Sequence, residues 1–390
     1  MATFTTSKTS GSIYVSVNTT TGYWMSFHNG SYNGNSNTPQ IYSDSGTFNY
    51  WGKRLDVIAT NGEFTIVACD VNGNIGGDIT LLNLYSSSDI IAFDGTGLTA
   101  LTKLSIEGAS NIRGQLTSFD ATGMTSLNWL YLRSNLLTNI NVTGLVNLTK
   151  LVLDGNQLTW GGISGLNTLS SLTWLNLNGN LLTTFDGSGL SSLLQLDLFY
   201  NQVTTSGITN LPNTLVKLNL RYNRLTSFDA TSLVNLTELS LQMNQITSVN
   251  LSGLTKLILL NLSDNLLTDI NVSGLTSLKY INLTGNRLST MDVSGLTNLV
   301  DLRLWRNSSI TPSVNNQILQ QLDQNCAIGD TSTSKGYFPA NGVFWSNNGR
   351  TSVSNVSFNN LTNKNWEFDG LDLIASPTRQ LSGTKDRKNL

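Results

Sequence analysis

The sequence predicts a mainly β solenoid, in which short parallel strands stack side by side into one concave sheet. Two observations carry this. The pattern L-x-x-L-x-L-x-x-N returns nine times from Leu127 onward, ending on Asn135, Asn156, Asn180, Asn201, Asn223, Asn244, Asn265, Asn286 and Asn307. The spacing between these asparagines is 21 residues throughout, except for one step of 24 and one of 22. A fixed period of that size is the signature of stacked repeats. Within each copy, L-x-L sends both leucines to one face of a strand. One repeat cannot bury that face alone, so neighbours must bury it jointly.

Five positions held in register nine times make the chain similar to the leucine-rich repeat family. The resemblance implies that the repeated asparagine forms a ladder along the solenoid. The residue type suits that role, because an amide leaving the strand can satisfy backbone groups in the bend. The back half of each repeat is short and β-branched: Thr138 to Leu145 is echoed by Thr268 to Leu275. This predicts an extended, turn-rich convex side resembling the short bacterial repeats rather than the longer helical ones.

Taken in order, residues 1–76 carry no repeat but show alternating segments at Ser12–Val17, Tyr23–Phe27, Leu55–Ala59 and Glu63–Ala68. They predict a small β domain, for capping or attachment, that docks on the open end of the solenoid. Residues 77–310 form the solenoid, with about eleven turns expected. The first two are degenerate, built on Ile79, Leu82, Leu84 and on Leu101, Leu104, Ile106, and lack the asparagine in frame. The longer repeats open with Trp160–Ile163 and Thr204–Ile208, where convex bulges are expected. Residues 311–375 predict an α/β cap: a helix over Pro312–Leu322, a strand over Gly336–Trp345, a helix over Ser352–Leu361 and a strand over Trp366–Phe368. Residues 376–390 read as a polar, flexible tail.

Composition narrows the function. Of 390 residues only 12% are charged, the net charge is −2, and Ser, Thr, Asn and 34 Gly fill the deficit. No basic surface calls for nucleic acid or an anionic membrane. No apolar run is long enough to insert in a membrane, and the first eight residues lack the pattern of an export signal. Cys69 and Cys326 flank roughly ten stacked layers, so at about 4.8 Å per layer they lie too far apart to pair.

Catalytic and metal-binding patterns are weak, so an enzyme is not expected, nor a cofactor or metal. The single histidine, His28, adjoins a turn, away from either cysteine in sequence. Asp94, Asp120, Asp186, Asp229 and Asp292 recur after the strand, but equivalent turns carry Asn141, Asn250 and Asn271. Free exchange of Asp for Asn indicates hydrogen bonding in a turn rather than acid–base work. Asp70–Asn74 opens like a calcium loop, then places Ile75 and Leu81 where glycine and glutamate are needed.

The residues flanking the buried leucines define three columns on the concave face. Ligand-binding candidates there are Trp129, Tyr131, Arg133 and Trp174, then Phe199, Tyr200, Arg221 and Tyr222, and further along Tyr280, Arg303 and Trp305. Aromatic and Arg enrichment marks recognition surfaces, although aromatic ladders also pack between neighbouring strands. Two readings follow. In one, the chain is a non-enzymatic adhesion protein whose concave face binds a host cell-surface glycan or protein, while the N-terminal domain joins other virion or surface-assembly proteins. In the other, it is a structural component. The low charge, together with Gly349–Ser352, Asn359–Leu361 and Asn365–Trp366, resembles phage tail or head fibre proteins, which implies a virion surface. A bacterial cell-surface or extracellular adhesin of the internalin-like kind is the alternative.

Overall fold

In the computed structural model, side chains are described for residues 101–108 and 113–322, with Phe93, Thr99 and Gln324 beside them. The flanks are described through the backbone of their strands and the end of one helix. The leucine alternation produces the strands directly. Lys103–Ile106, Trp129–Tyr131, Lys150–Val152, Trp174–Asn176 and Gln195–Asp197 follow one another in a single parallel sheet. Lys217–Asn219, Glu238–Ser240, Leu259–Asn261, Tyr280–Asn282 and Asp301–Arg303 complete the series. The central leucine of each strand and the next leucine are buried, as in the pairs Leu151/Leu153 and Leu239/Leu241.

Register follows the period. Lys103 pairs with Trp129, Trp129 with Lys150, Lys150 with Trp174, and the series runs unbroken to Tyr280 with Asp301. The expected columns therefore exist as rows of side chains about 4.8 Å apart. The turn count needs a small correction. Nine turns carry the complete frame, and Ile79–Tyr85 and Lys103–Ile106 add parallel strands at the entrance without a ladder asparagine. Gly114 stands in the ladder frame, where a Cβ would run into the Asn135 carboxamide.

Both ends continue the sheet rather than merely covering it. At the entrance, Gly11–Thr19 pairs antiparallel with Ile79–Tyr85 and with Lys53–Ala59. A second sheet joins the convex side of the first turn, because Ala2–Thr6 bonds antiparallel to both Glu63–Cys69 and Ile90–Asp94. Beyond Asp301–Arg303, the strands Val343–Trp345 and Glu367–Asp369 extend the parallel series. Between Asp301–Arg303 and Val343–Trp345 the chain forms the helix Pro312–Asn325, with Pro at its first position and Thr311 Oγ1 accepting from the Val314 N–H. It buries Ile318, Leu319 and Leu322 against the last turns, and Gln321 Oε1 accepts the Val293 N–H at 3.0 Å. The expected Ser352–Leu361 helix, the tail, the Asp70–Asn74 turn and Cys326 lie outside the described residues, as does the side chain of His28.

The convex side is extended, as the β-branched back halves require, but its sheet is broken. Ser118–Asp120, Asn139–Asn141 and Ile163–Ser164 form one piece, Phe185–Asp186 with Ile208–Thr209 a second, and Ser227–Asp229 with Ser248–Asn250 a third. The extra residues of the long repeats are taken up as 3-10 turns at Trp160–Gly162 and Thr205–Gly207. Each such turn shifts the chain before it re-enters its strand. Trp160 is not wasted, packing edge-on against buried Phe185 at 5.3 Å.

Recurrent left-handed glycines close the convex turns, and two of them make a sharp comparison. Gly189, at φ +80°, lies against the Asn167 carbonyl, whereas Gly253, at φ +85°, faces open space. Gly253→Ala is expected to cost only the left-handed strain, about 1 kcal/mol. Gly189→Ala adds a backbone clash and should cost at least about 2 kcal/mol. Urea midpoints of the two variants would check this; equal losses would show that the close approach at Gly189 is relieved without penalty.

Candidate functional site

The concave face is set by what happens where each strand ends. The ladder asparagine turns inward and ties adjacent turns together. Asn156 Nδ2 donates to Leu132 O at 3.0 Å and Leu153 O at 2.9 Å, while its Oδ1 accepts the Leu137 N–H at 3.1 Å. The same set recurs at Asn180, Asn201, Asn223, Asn244, Asn265 and Asn286. Aiming that side chain inward requires a bend one residue earlier. The residue before the ladder asparagine has a positive φ in every one of the nine turns. In three turns it is the expected glycine, at Gly155, Gly179 and Gly285. In the other six it is Ser134, Tyr200, Tyr222, Met243, Asp264 and Arg306, with φ between 53° and 59°. Side chains there are strained by about 1 kcal/mol each.

Two of the six are paired with each other: Arg306 Nη1 reaches Asp264 Oδ1 at 3.2 Å, across the turn carrying Gly285. Tyr200 and Tyr222 are different, being large rings on adjacent turns. Their centroids lie 6.0 Å apart, and both meet Phe199, at 5.9 and 5.7 Å. The Arg221 guanidinium sits over Phe199 at 5.2 Å and over Tyr222 at 5.0 Å. Tyr200 remains 63% exposed. The fold therefore assembles Phe199, Tyr200, Arg221 and Tyr222 into one projecting aromatic–cationic patch.

The expected Trp129–Trp174 cluster is placed otherwise. Both tryptophans are half-buried, and lysines cover their faces: Lys103 and Lys150 lie 3.9 and 4.5 Å from the Trp129 ring, and Lys150 lies 5.2 Å from that of Trp174. Tyr131 packs edge-on against Trp129, and Arg133 bridges Glu107 at 3.8 Å and Asp154 at 3.3 Å. Their exposure, expected from the column pattern, is thus largely satisfied within the sheet, because Lys and Trp alternate along the column. Toward the far end, Tyr280 is half-buried, Arg303 is clamped bidentately on Asp301, and Trp305 stays 40% exposed. The lysines share the column that the period defines, but their cover over the rings and the left-handed positions were missed in sequence. The alternation of Gly with bulky residues before the asparagine was the readable trace of the latter.

Electrostatically, the two faces behave in opposite senses. On the convex side, the Oδ1 atoms of Asp120, Asp186 and Asp292 accept from residues two further on, as do those of Asn141, Asn250 and Asn271. The hydroxyls of Thr122, Ser188 and Ser294, foremost, hold these three carboxyls below the usual range. On the concave face, burial pushes Asp154 and Asp197 up, against the pull of Arg133 on the former. A depressed carboxyl contributes stability above its unfolded pKa and loses it as pH falls through the folded value; a raised one does the reverse. Asp186→Asn keeps the turn acceptor but loses the charge, so it should lower the neutral-pH urea midpoint slightly, converge on the native chain at acid pH, and so reduce the midpoint's fall as pH drops below about 5. Asp197→Asn should remove a penalty present only once the carboxyl ionises, raising stability at neutral pH. An unaltered acid limb in Asp186→Asn would count against the turn assignment.

A stacked parallel sheet with a continuous asparagine ladder and a side-chain array along its inner surface defines a solenoid repeat protein. The Leucine Rich Repeat family model matches residues 277–299. The chain repeats the frame of that one matched turn along its whole stack of ladder turns. Among solved structures, it is 32% identical to the functional domain of InlJ from Listeria monocytogenes, with a TM-score of 0.48, over 60% of this chain and 52% of that one. The chain thus spans about half of that domain, which includes a cysteine ladder; the ladder here is asparagine. It is 20% identical to the internalin inlF from Listeria monocytogenes, with a TM-score of 0.50, over 76% of this chain and 87% of that one. No curated protein matches the sequence.

Proposed function

We propose that the chain is a non-enzymatic recognition module that binds a partner on the concave side, centred on Phe199, Tyr200, Arg221 and Tyr222. One observation carries this: two large aromatic side chains occupy left-handed backbone, one of them mostly exposed, at a position where other turns use glycine. Folding gains little net from that choice, because the ring contacts it makes are offset by the left-handed strain. Strain of this kind gathers where a side chain must be presented in a set direction. Tyr and Arg in a desolvated cluster are the residues that dominate binding energy. The protein surface or glycan bound would lie on a host cell, and the low-charge surface supports placing the module on a phage virion, with an internalin-like bacterial surface as the second setting. The test is capture of bacterial cells and of a surface-glycan array by the purified chain and by the Tyr200→Gly/Tyr222→Gly variant. Equal capture by both would remove the patch from the reading, and capture by neither would favour a structural role.

A further inference from the structure

Farther along the concave face lies a second feature, which adjoins the aromatic patch through Arg221. A hollow of about 200 Å3 opens between Glu238, Gln242, Leu259, Tyr280 and Arg303. It exists because Ser240 and Asn261 are short, leaving as its floor the Leu259 side chain and the strand backbone at Leu260 and Ile281, whose own side chains are buried on the other face. Between Lys103 and Asp301, Leu259 is the only aliphatic residue in its column, where the other turns carry Lys, Trp, Gln, Glu, Tyr or Asp. The charges on the walls are engaged: Glu238 with Lys217 at 2.6 Å, and Arg303 with Asp301 at 2.6 Å. An occupant therefore meets an apolar floor and neutralised walls.

The polar group left over is Gln242. Its side chain is 8% exposed, lines the hollow, and its Oε1 has no hydrogen-bond partner. One turn earlier in the same column, Arg221 Nε is likewise buried without a partner. Buried polar atoms are normally satisfied, and each exception asks for an explanation. An orphan acceptor and an orphan donor stand on adjacent turns, roughly 4.8 Å apart along the column. That pair is complementary to the C=O and N–H groups on one edge of an extended backbone.

Resting on the recognition reading above, we propose that this half of the face seats an extended peptide segment of a protein partner. An apolar side chain of that segment fills the hollow over Leu259 beside Tyr280. Its backbone donates an N–H to Gln242 and presents a carbonyl to Arg221, each side chain rotating to meet it. A methyl-bearing side chain suits this floor better than a hydroxylated sugar ring, which would leave its hydroxyls facing leucine.

The probe is a display library of random twelve-residue peptides, selected on the full chain. Enriched peptides should share an apolar residue and bind Leu259→Ser and Gln242→Leu about tenfold more weakly, in variants whose melting temperature is unchanged. Replacing single backbone amides of an enriched peptide by esters deletes one N–H at a time. One such ester should lose about tenfold on the native chain and nothing further on Gln242→Leu. No enrichment, indifference to every ester, or peptides insensitive to both substitutions would overturn the inference, as would saturable glycan binding lost in Leu259→Ser. If cells are captured through Tyr200 and Tyr222 while no peptide is enriched, the recognition reading stands and this inference alone fails.

Discussion

Asn244→Ala is expected to destabilise the solenoid by about 3–5 kcal/mol, the largest loss we foresee from any single side chain. The Asn244 amide donates to Leu220 O and Leu241 O, both at 3.0 Å, and accepts the Leu225 N–H at 3.0 Å. All three backbone groups are buried between turns, where water cannot replace the amide, and each orphan costs about 1–3 kcal/mol. A solenoid is held by nearest-neighbour interfaces, so a loss at a central interface separates two halves of the array. Equilibrium denaturation should therefore show a lower midpoint and a broadened or two-step transition. Asn135→Ala is the internal control. Asn135 donates to Ile106 O and Leu132 O, but its Oδ1 has no partner, unlike the Oδ1 of the later ladder residues. It should cost measurably less than Asn244→Ala. Equal losses, or a loss below about 1 kcal/mol at Asn244, would mean that the turns are held by leucine packing alone.

Tyr200→Gly/Tyr222→Gly is expected to weaken partner binding by about 100-fold while leaving stability within about 1 kcal/mol of the native chain. Most truncations that remove two aromatic rings destabilise. Here two terms oppose each other: glycine relieves about 1 kcal/mol of left-handed strain at each site, and the lost ring contacts forfeit about 0.5–1.5 kcal/mol per pair. Separating binding from folding in this way is what distinguishes a presented patch from a packing ladder. Trp129→Ala supplies the contrast, since its ring lies between Lys103 and Lys150 and packs on Tyr131. That variant should lose stability and retain most binding. The reverse pattern, with binding lost at Trp129 and kept at the tyrosines, would move the interface to the entrance half of the face.

Much of the architecture was legible in the leucines. L-x-L selects a strand, the 21-residue period selects a stack, and the two together fix which residues share a column, so Lys150 had to stand beside Trp129 and Trp174. The exchange of Asp for Asn on the convex side likewise identifies turn acceptors from sequence alone. These features depend on local alternation and on a period that every copy repeats, and such information is contained in the chain itself. What the columns could not tell was how deeply each side chain sits or which way it leans. Trp129 and Trp174 look exposed in a pattern, yet lysines from adjacent turns cover them. Spacing groups Tyr200 and Tyr222 with Phe199 and Arg221, yet the positive φ that throws the rings together is seen only in the structure. The orphan atoms of Arg221 and Gln242 are invisible in sequence for the same reason. Burial, ring contact and hydrogen-bond satisfaction are properties of atoms brought together across turns, and only the stacked structure decides them.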